Sequence, residues 1–314
     1  MSLKLLPDNT HIDFMGRRWP AIVLSLVLIA VSIGSLAVQR LNFGIDFTGG
    51  ILLELGYPEA ADLERIRGVL TEADFPEAEV TNFGTARDVL VRLPPREGVS
   101  GTEVREDLRD VLQADEPDVE LRRVDFVGPQ VGEELTEKGG LAMIFTLIMI
   151  FAYVMFRFQW RFAAGAVAAL AHDVIITLGF FSLFQLPFDL SVLAAILAVI
   201  GYSLNDTVVV FDRIRENFLK LRGLEPIDVM NTSINQMLGR TIITGMTTLL
   251  VLVALLVLGG EAIGPFSVAL IVGIIIGTYS SIYTASATAL ELGVSAQDLM
   301  PPEKDPEDEV DELP

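Results

Sequence analysis

One carboxylate in this chain stands where carboxylates are expensive. Asp206 lies in Gly201-Tyr202-Ser203-Leu204-Asn205-Asp206-Thr207, a polar patch inside an apolar run from Leu190 to Phe211. The run is long enough to cross a bilayer, where an ionised Asp at the centre costs about 2.5–3.5 kcal/mol. Acids kept at such a cost handle protons or ions, or hold helices together by hydrogen bonds. Both roles stay open for Asp206 on these residues alone.

Its neighbours in other apolar runs form stripes. Tyr202, Asn205 and Asp206 share a helical face at i, i+3 and i+4, and Arg240, Thr244, Thr247 and Thr248 do so at i, i+4, i+7 and i+8. Asp173 and Thr177 align at i, i+4, with His172 beside them. Facing the three stripes together, away from lipid, is the simplest way to bury them. Asp206 falls seven residues before Arg213, about 10 Å inside the membrane boundary at the helical rise, while Asp173 is near mid-span. Arg240 is either the partner of Asp206 or an anchor that reaches the headgroups from the end of its span. Asp206, Arg240 and Asp173 are the candidate proton pathway, with His172, Asn205, Thr207 and Thr244 as supporting polar residues. His172 is a relay or a helix contact.

The energy scale suits protons. A charge crossing the membrane field releases about 2.3 kcal/mol per 100 mV, and each pH unit adds about 1.4 kcal/mol. Protonating Asp206 would remove its attraction for a nearby Arg and favour another packing of its helices.

Other chemistries find little support. His11 and His172 are the only histidines and there is no cysteine, so no multi-histidine metal site can be assembled, and neither metal nor cofactor is expected. No nucleophile–base pairing or Walker-type loop is evident, so no enzyme is expected. A net charge of −20 lacks the basic footprint of nucleic-acid binding.

The elements that must hold these residues are membrane spans. Hydrophobic residues make up 51% of 314 and mean hydropathy is +0.51. Apolar stretches fall near 19–38, 139–158, 162–186, 189–211, 240–259 and 263–289. The first exceeds a signal-peptide h-region and lacks a convincing cleavage site, so it is expected to remain as a span. Arg17, Arg18, Arg157, Arg161, Arg213 and Arg215 flank one side, while the turns near 185–189 and 259–264 carry no Lys or Arg. The positive-inside rule then puts both termini in the cytoplasm and residues 39–138 outside.

Residues 51–127 read as strand, helix, strand, strand, helix, strand, with strands at Ile51–Tyr57, Glu79–Gly84, Asp88–Leu93 and Val119–Val127. The first helix carries Leu63, Ile66, Val69 and Leu70. The second opens with a capping box from Ser100 to Glu103. This is the ferredoxin-like, split βαβ order. The expected organisation is a cytoplasmic N-terminus (1–18), span one (19–38), a periplasmic α+β domain (39–138), spans two to six (139–290) and an acidic tail (291–314). Residues 39–138 hold 23 acids and 11 bases, and 291–314 hold nine acids and one base. From Glu303 onwards the tail is expected to be disordered.

Two junctions join the domain to the spans. Gly44, Asp46, Gly49 and Gly50 lie in FGIDFTGG, and Gly128 and Pro129 in VGPQVGEEL. Such glycine density implies close backbone approach or positive φ, and the segments serve either as a joint on which the domain tilts or as plain tight turns. Between spans four and five, an amphipathic segment (212–239) presents Ile214, Phe218 and Leu221 on one face, with basic residues that suit a lipid surface and, as the alternative, a docking face for a cytoplasmic partner.

FGIDFTGG, VGPQVGEEL, His172-Asp173, GYSLNDTVVVFDRIREN and Gly239-Arg240-Thr241 before IITGMTTLL, in this order and on six spans, resemble the SecF family of bacterial protein export. The similarity runs from Phe14 to about Leu292. It implies membership of the resistance–nodulation–division superfamily, a SecD partner half, association with the SecYEG channel, and use of the proton gradient to help draw preproteins across the inner membrane. ATP hydrolysis belongs to the separate SecA motor. By position, Asp206 and Arg240 match the family's proton-pathway acid and its basic partner. A lone six-span half would expose polar stripes to lipid, so a partner half is expected. Competing readings are a purely structural assembly subunit and half of a small-molecule exporter of the same superfamily.

Overall fold

The computed structural model describes residues 10–95, 101–221, 223–260 and 263–295. The tail from Glu303 and the Ser100 end of the capping box lie outside the described residues.

Helix α1 (Arg18–Val38) leads through β1 (Asn42–Phe43) and a single turn, α2 (Ile45–Thr48), into the α+β domain. There β2 (Gly50–Gly56), α3 (Leu63–Glu72), β3 (Glu79–Phe83), β4 (Thr85–Leu93), α4 (Gly101–Asp115) and β5 (Glu120–Val127) follow in the expected order. Then come α5 (Pro129–Arg157), α6 (Trp160–Leu183), β6 (Pro187–Phe188), α7 (Leu190–Lys220), α8 (Pro226–Leu258) and α9 (Gly264–Ser280). A π-helical segment, Ser281–Ala285, joins α9 to α10 (Ser286–Glu291), and the three form one span from Gly264 to Glu291. Among the described residues, six helices are thus long and apolar enough to cross a membrane.

The domain's sheet is ordered β3-β4-β2-β5, antiparallel at every pairing. Alternation selects the core: Ile51, Leu53 and Leu55 of β2, with Val89 and Val91 of β4, are buried against Ile66, Leu70, Leu108 and Leu112 of the two helices. Asp62 caps α3 by accepting from the Glu64 and Arg65 backbone N–H groups at 3.1 and 3.2 Å. A fragment 50–127 carries this core whole and contains one tyrosine, Tyr57. Burial, then the charges of Asp115 and Glu116, push the Tyr57 phenol up to about 12. The folded form therefore holds that proton more tightly than the unfolded chain, whose phenol titrates near 10. This contribution is complete below pH 10 and is lost as pH rises towards 12. Absorbance titration of the fragment is expected to give one phenolate midpoint near 12, falling to about 10 in urea.

In the bundle α6 is central. Its best membrane-spanning window is 61% buried, against 11% for α5 and 17% for α8. Small residues on α6 (Ala163, Gly165, Ala166, Ala169) are buried, which allows the close backbone approach typical of membrane helix seams. Two helices begin earlier than expected. The second span's helix begins at Pro129 rather than 139, and the fifth begins at Pro226 rather than 240. Proline suits a first turn, where its missing N–H has no intrahelical partner.

The lipid-surface reading of 212–239 is corrected. Ile214 and Phe218 are buried in one apolar cluster with Phe14, Met15, Val229, Met230 and Ile234, so the amphipathic face packs on α8 and the N-terminal segment. That segment is strapped down by two asparagines one helical turn apart. Asn235 accepts from Ile12 N at 2.9 Å and donates to Ile12 O at 2.8 Å. Asn231 accepts from Met15 N and donates to Asp13 Oδ1, each at 2.8 Å.

Candidate functional site

The polar stripes do not converge on one place. They form two groups of different character. The first is sealed. Asp173 is fully buried, and its two oxygens are bonded from three helices. Ser203 Oγ of α7 donates to Oδ2 at 2.6 Å, and Ser280 Oγ of α9 donates to the same oxygen at 2.8 Å. His172 Nδ1 meets Oδ1 at 2.9 Å, and the His172 ring stacks on Tyr279 with centroids 6.0 Å apart. Backbone closeness makes the arrangement fit: a Cβ on Gly277 would stand 3.1 Å from Ser203 Cβ and 3.5 Å from Asp173 Oδ2. Thr207 extends the network, its hydroxyl 2.8 Å from Ser281 Oγ. Thr177 only back-bonds to the Asp173 carbonyl.

The second group lies at the edge. Asp206 is half-buried on α7, and its Oδ1 accepts from Thr241 Oγ1 of α8 at 2.8 Å. Its Oδ2 is buried and has no hydrogen-bond partner among the described residues. Arg240 makes no ion pair with Asp206 within 4.0 Å, so the direct contact falls to the next residue, Thr241. Asn205, Arg240, Thr244 and Thr247 are exposed. Thr244 bonds back to the Arg240 carbonyl and Thr247 to that of Ile243. The expectation that the three stripes face together is thus corrected: this one forms an open polar face along α7 and α8, the exposure expected of a lone six-span half. A carboxylate with one filled and one unfilled oxygen at such an edge can take up and release a proton.

Asn42–Phe43 of β1 pairs in parallel with Pro187–Phe188 of β6, and Gly44 N donates to Phe188 O at 2.8 Å. Asp46 Oδ2 accepts from Leu190 N at 2.9 Å, at the start of α7. Gly49 and Gly50 turn the chain at φ +70° and +120°. Gly128 is extended, and Pro129 starts α5 directly after β5. Arg92 Nη1 donates to Asn42 Oδ1 at 3.0 Å and Phe43 O at 3.1 Å, latching the sheet to the same clip.

Comparison with known proteins follows this geometry. Residues 107–295 match the family described as "Protein export membrane protein SecD/SecF, C-terminal", and residues 34–57 match "SecD/SecF GG Motif". A curated relative from Vibrio alginolyticus, "Protein translocase subunit SecF", is 53% identical over 99% of both chains. This chain belongs to the SecF family. The GG match spans the clip, so the two glycines with positive φ lie within the residues that define the family motif. A crystal structure of SecDF, a translocon-associated membrane protein from Thermus thermophilus, superposes with TM-score 0.84 at 40% identity, covering 91% of this chain and 39% of that one. A SecDF structure in a super-membrane-facing form gives 0.68 at the same 40% identity, covering 90% and 39%. The chain thus spans about two fifths of the SecDF chains it matches.

Sequence reasoning missed Ser203, Ser280 and Thr241 as partners of the acids, and Ser281 as the partner of Thr207. Ser203 stood inside the quoted patch, and Ser280-Ser281 broke an apolar run at the π segment, a backbone irregularity common at functional sites.

Proposed function

We propose that this chain is the SecF half of a SecD–SecF complex in the bacterial inner membrane, coupling proton flow to movement of its α+β domain and so assisting preprotein export. In this reading the N-terminus and the 221–225 turn face the cytoplasm, as the positive-inside rule requires, and the α+β domain is periplasmic. The chain is a transport subunit acting beside SecYEG and SecA, rather than an enzyme. One observation carries the reading. Asp206 has an unpaired carboxylate oxygen beside an open polar face that lipid cannot satisfy. A second six-span half covering that face would enclose Asp206, Asn205, Arg240 and Thr244 in a shared core, where Arg240 sits one residue from the present partner of Asp206.

Two further observations support domain movement. At equal identity and nearly equal coverage, the SecDF structures superpose at 0.84 and 0.68, a difference of arrangement rather than of sequence. The clip ties the domain to both α1 and the start of α7, the helix that carries Asp206. A change at Asp206 therefore has a short mechanical path to the domain.

The test is proton-gradient-dependent translocation in vesicles containing the SecD partner. Asp206→Asn, which keeps the shape and the Thr241 contact, is expected to abolish gradient-dependent stimulation while the complex still assembles. Full stimulation would remove Asp206 from the pathway. Asp173 lies apart from this face, its two oxygens already holding three bonds.

A further inference from the structure

His172 has a second face that the Asp173 bond does not use. Its side chain is 1% exposed, and its Nε2 is buried without a hydrogen-bond partner. An unmade bond of this kind costs about 1–3 kcal/mol. The ring lines the end of a cavity of about 390 Å³ between α1, α6 and the last span. The walls are unlike one another. Ile22 and Ile29 of α1 are apolar, while Thr284, Thr288 and Glu291 line the opposite side at i, i+4 and i+7. Thr284 Oγ1 is a second buried atom without a partner. Glu291 is exposed at the N-terminal end of the bundle and pairs with Arg18 at 2.8 Å. A polar stripe thus leads from a charged mouth to two unsatisfied atoms in mid-membrane.

We infer that this cavity is a water path from the side bearing the N-terminus to His172, and that His172 is the inner gate through which the sealed Asp173 exchanges protons. The site takes water and the protons it carries. Its volume is many times the 10–15 Å³ that one water requires, and it offers the polar partners a water needs. Of the three groups bonded to the Asp173 carboxylate, His172 alone lines the cavity: Ser203 and Ser280 share Oδ2, and His172 meets Oδ1. Neutral imidazole can pass a proton from one nitrogen to the other, which joins the cavity to the carboxylate. The titratable and charged groups around the ring are Asp173 on α6, Tyr279 and Tyr283 on the last span, and the Glu291–Arg18 pair at the mouth; the α1 wall carries none. This access is separate from the open face that holds Asp206. Its cytoplasmic sidedness rests on the orientation proposed above.

The absence of cysteine makes a direct test available. Thr284→Cys and Thr288→Cys, each single in the full chain in membrane vesicles, are treated with a charged, membrane-impermeant methanethiosulfonate. Both are expected to react from the side bearing the N-terminus and not from the domain side. Val27→Cys, on the 53%-exposed outer face of α1, is expected to stay unmodified. No reaction at either threonine position would mean a cavity filled by lipid chains and would overturn the inference, as would equal reaction at Val27→Cys. A second readout uses the two histidines: with His11→Gln, the nitrogen-15 imidazole resonances belong to His172 alone, and the attached N–H proton is expected to exchange with deuterium when heavy water replaces the medium. An imidazole proton that does not exchange would remove the gate. Neither measurement depends on translocation, so a failure here is distinguishable from retained stimulation in Asp206→Asn.

Discussion

Asp173→Ala is expected to cost about 3–5 kcal/mol, the range for removing one member of a buried charged network. Three groups lose their partner at once: the Ser203 and Ser280 hydroxyls and the His172 ring. They belong to α7, α9 and α6, so the loss is felt at the seam of three central helices. Asp173→Asn predicts a different result. Its amide oxygen accepts from both serines and its NH₂ donates to His172 Nδ1, so the geometry survives while the titratable group is gone. Thermal unfolding of the purified protein in detergent is the measurement. A large fall in Tm for Asp173→Ala, with a small one for Asp173→Asn, is expected; equal behaviour of the two would show that packing volume, rather than hydrogen bonding, holds the seam.

Gly50→Ala is expected to be the most damaging single-methyl change in the junction. The residue stands at φ +120°, where an L side chain is strained by about 1–3 kcal/mol. The added Cβ would also lie 2.2 Å from the Leu93 carbonyl oxygen, a backbone atom in the neighbouring strand. Relieving that clash costs about 1–3 kcal/mol more. Against the 5–15 kcal/mol that holds a typical domain together, the sum is large. Limited proteolysis is expected to digest the α+β domain of the variant while the membrane helices remain resistant. Wild-type resistance would mean that the strand pair can move aside at little cost.

Much of this architecture was legible from residue order. Six apolar runs became six helices because a bilayer demands about 20 apolar residues and complete backbone bonding within each segment. The domain's strands fell within a few residues of their expected bounds because Val89, Val91 and Leu93 alternate while Ile66 and Leu70 recur at helical spacing. The glycines of FGIDFTGG were legible as points of positive φ or close approach. What they clip onto was not, since the partner strand Pro187–Phe188 is a short piece of another loop.

Periodicity names a face and leaves its neighbour unnamed, and that explains both corrections. Ile214 and Phe218 make an apolar face that suits lipid or protein equally, and the structure gives them Met15 and Met230. Thr244 and Thr247 make a polar stripe, yet threonine in a helix can satisfy itself on the preceding turn, so the stripe carries no obligation to be buried in its own chain. Serine is the hardest case. Ser203 and Ser280 differ in no sequence property from serines that merely back-bond, and only the Asp173 carboxylate distinguishes them.

The asparagine strap sets a timetable for synthesis. Ile12 and Met15 are bonded by residues that leave the ribosome 216 to 223 positions later. At a translation rate of 5–20 residues per second, that interval is roughly 10–45 s. Throughout it the first helix resides in the membrane with its N-terminal segment unfastened. Both asparagines lie in the first three turns of α8, so the strap can close as soon as the start of the fifth helix emerges and before the sixth is made, and a chain truncated before Asn231 is left with an open N-terminal end.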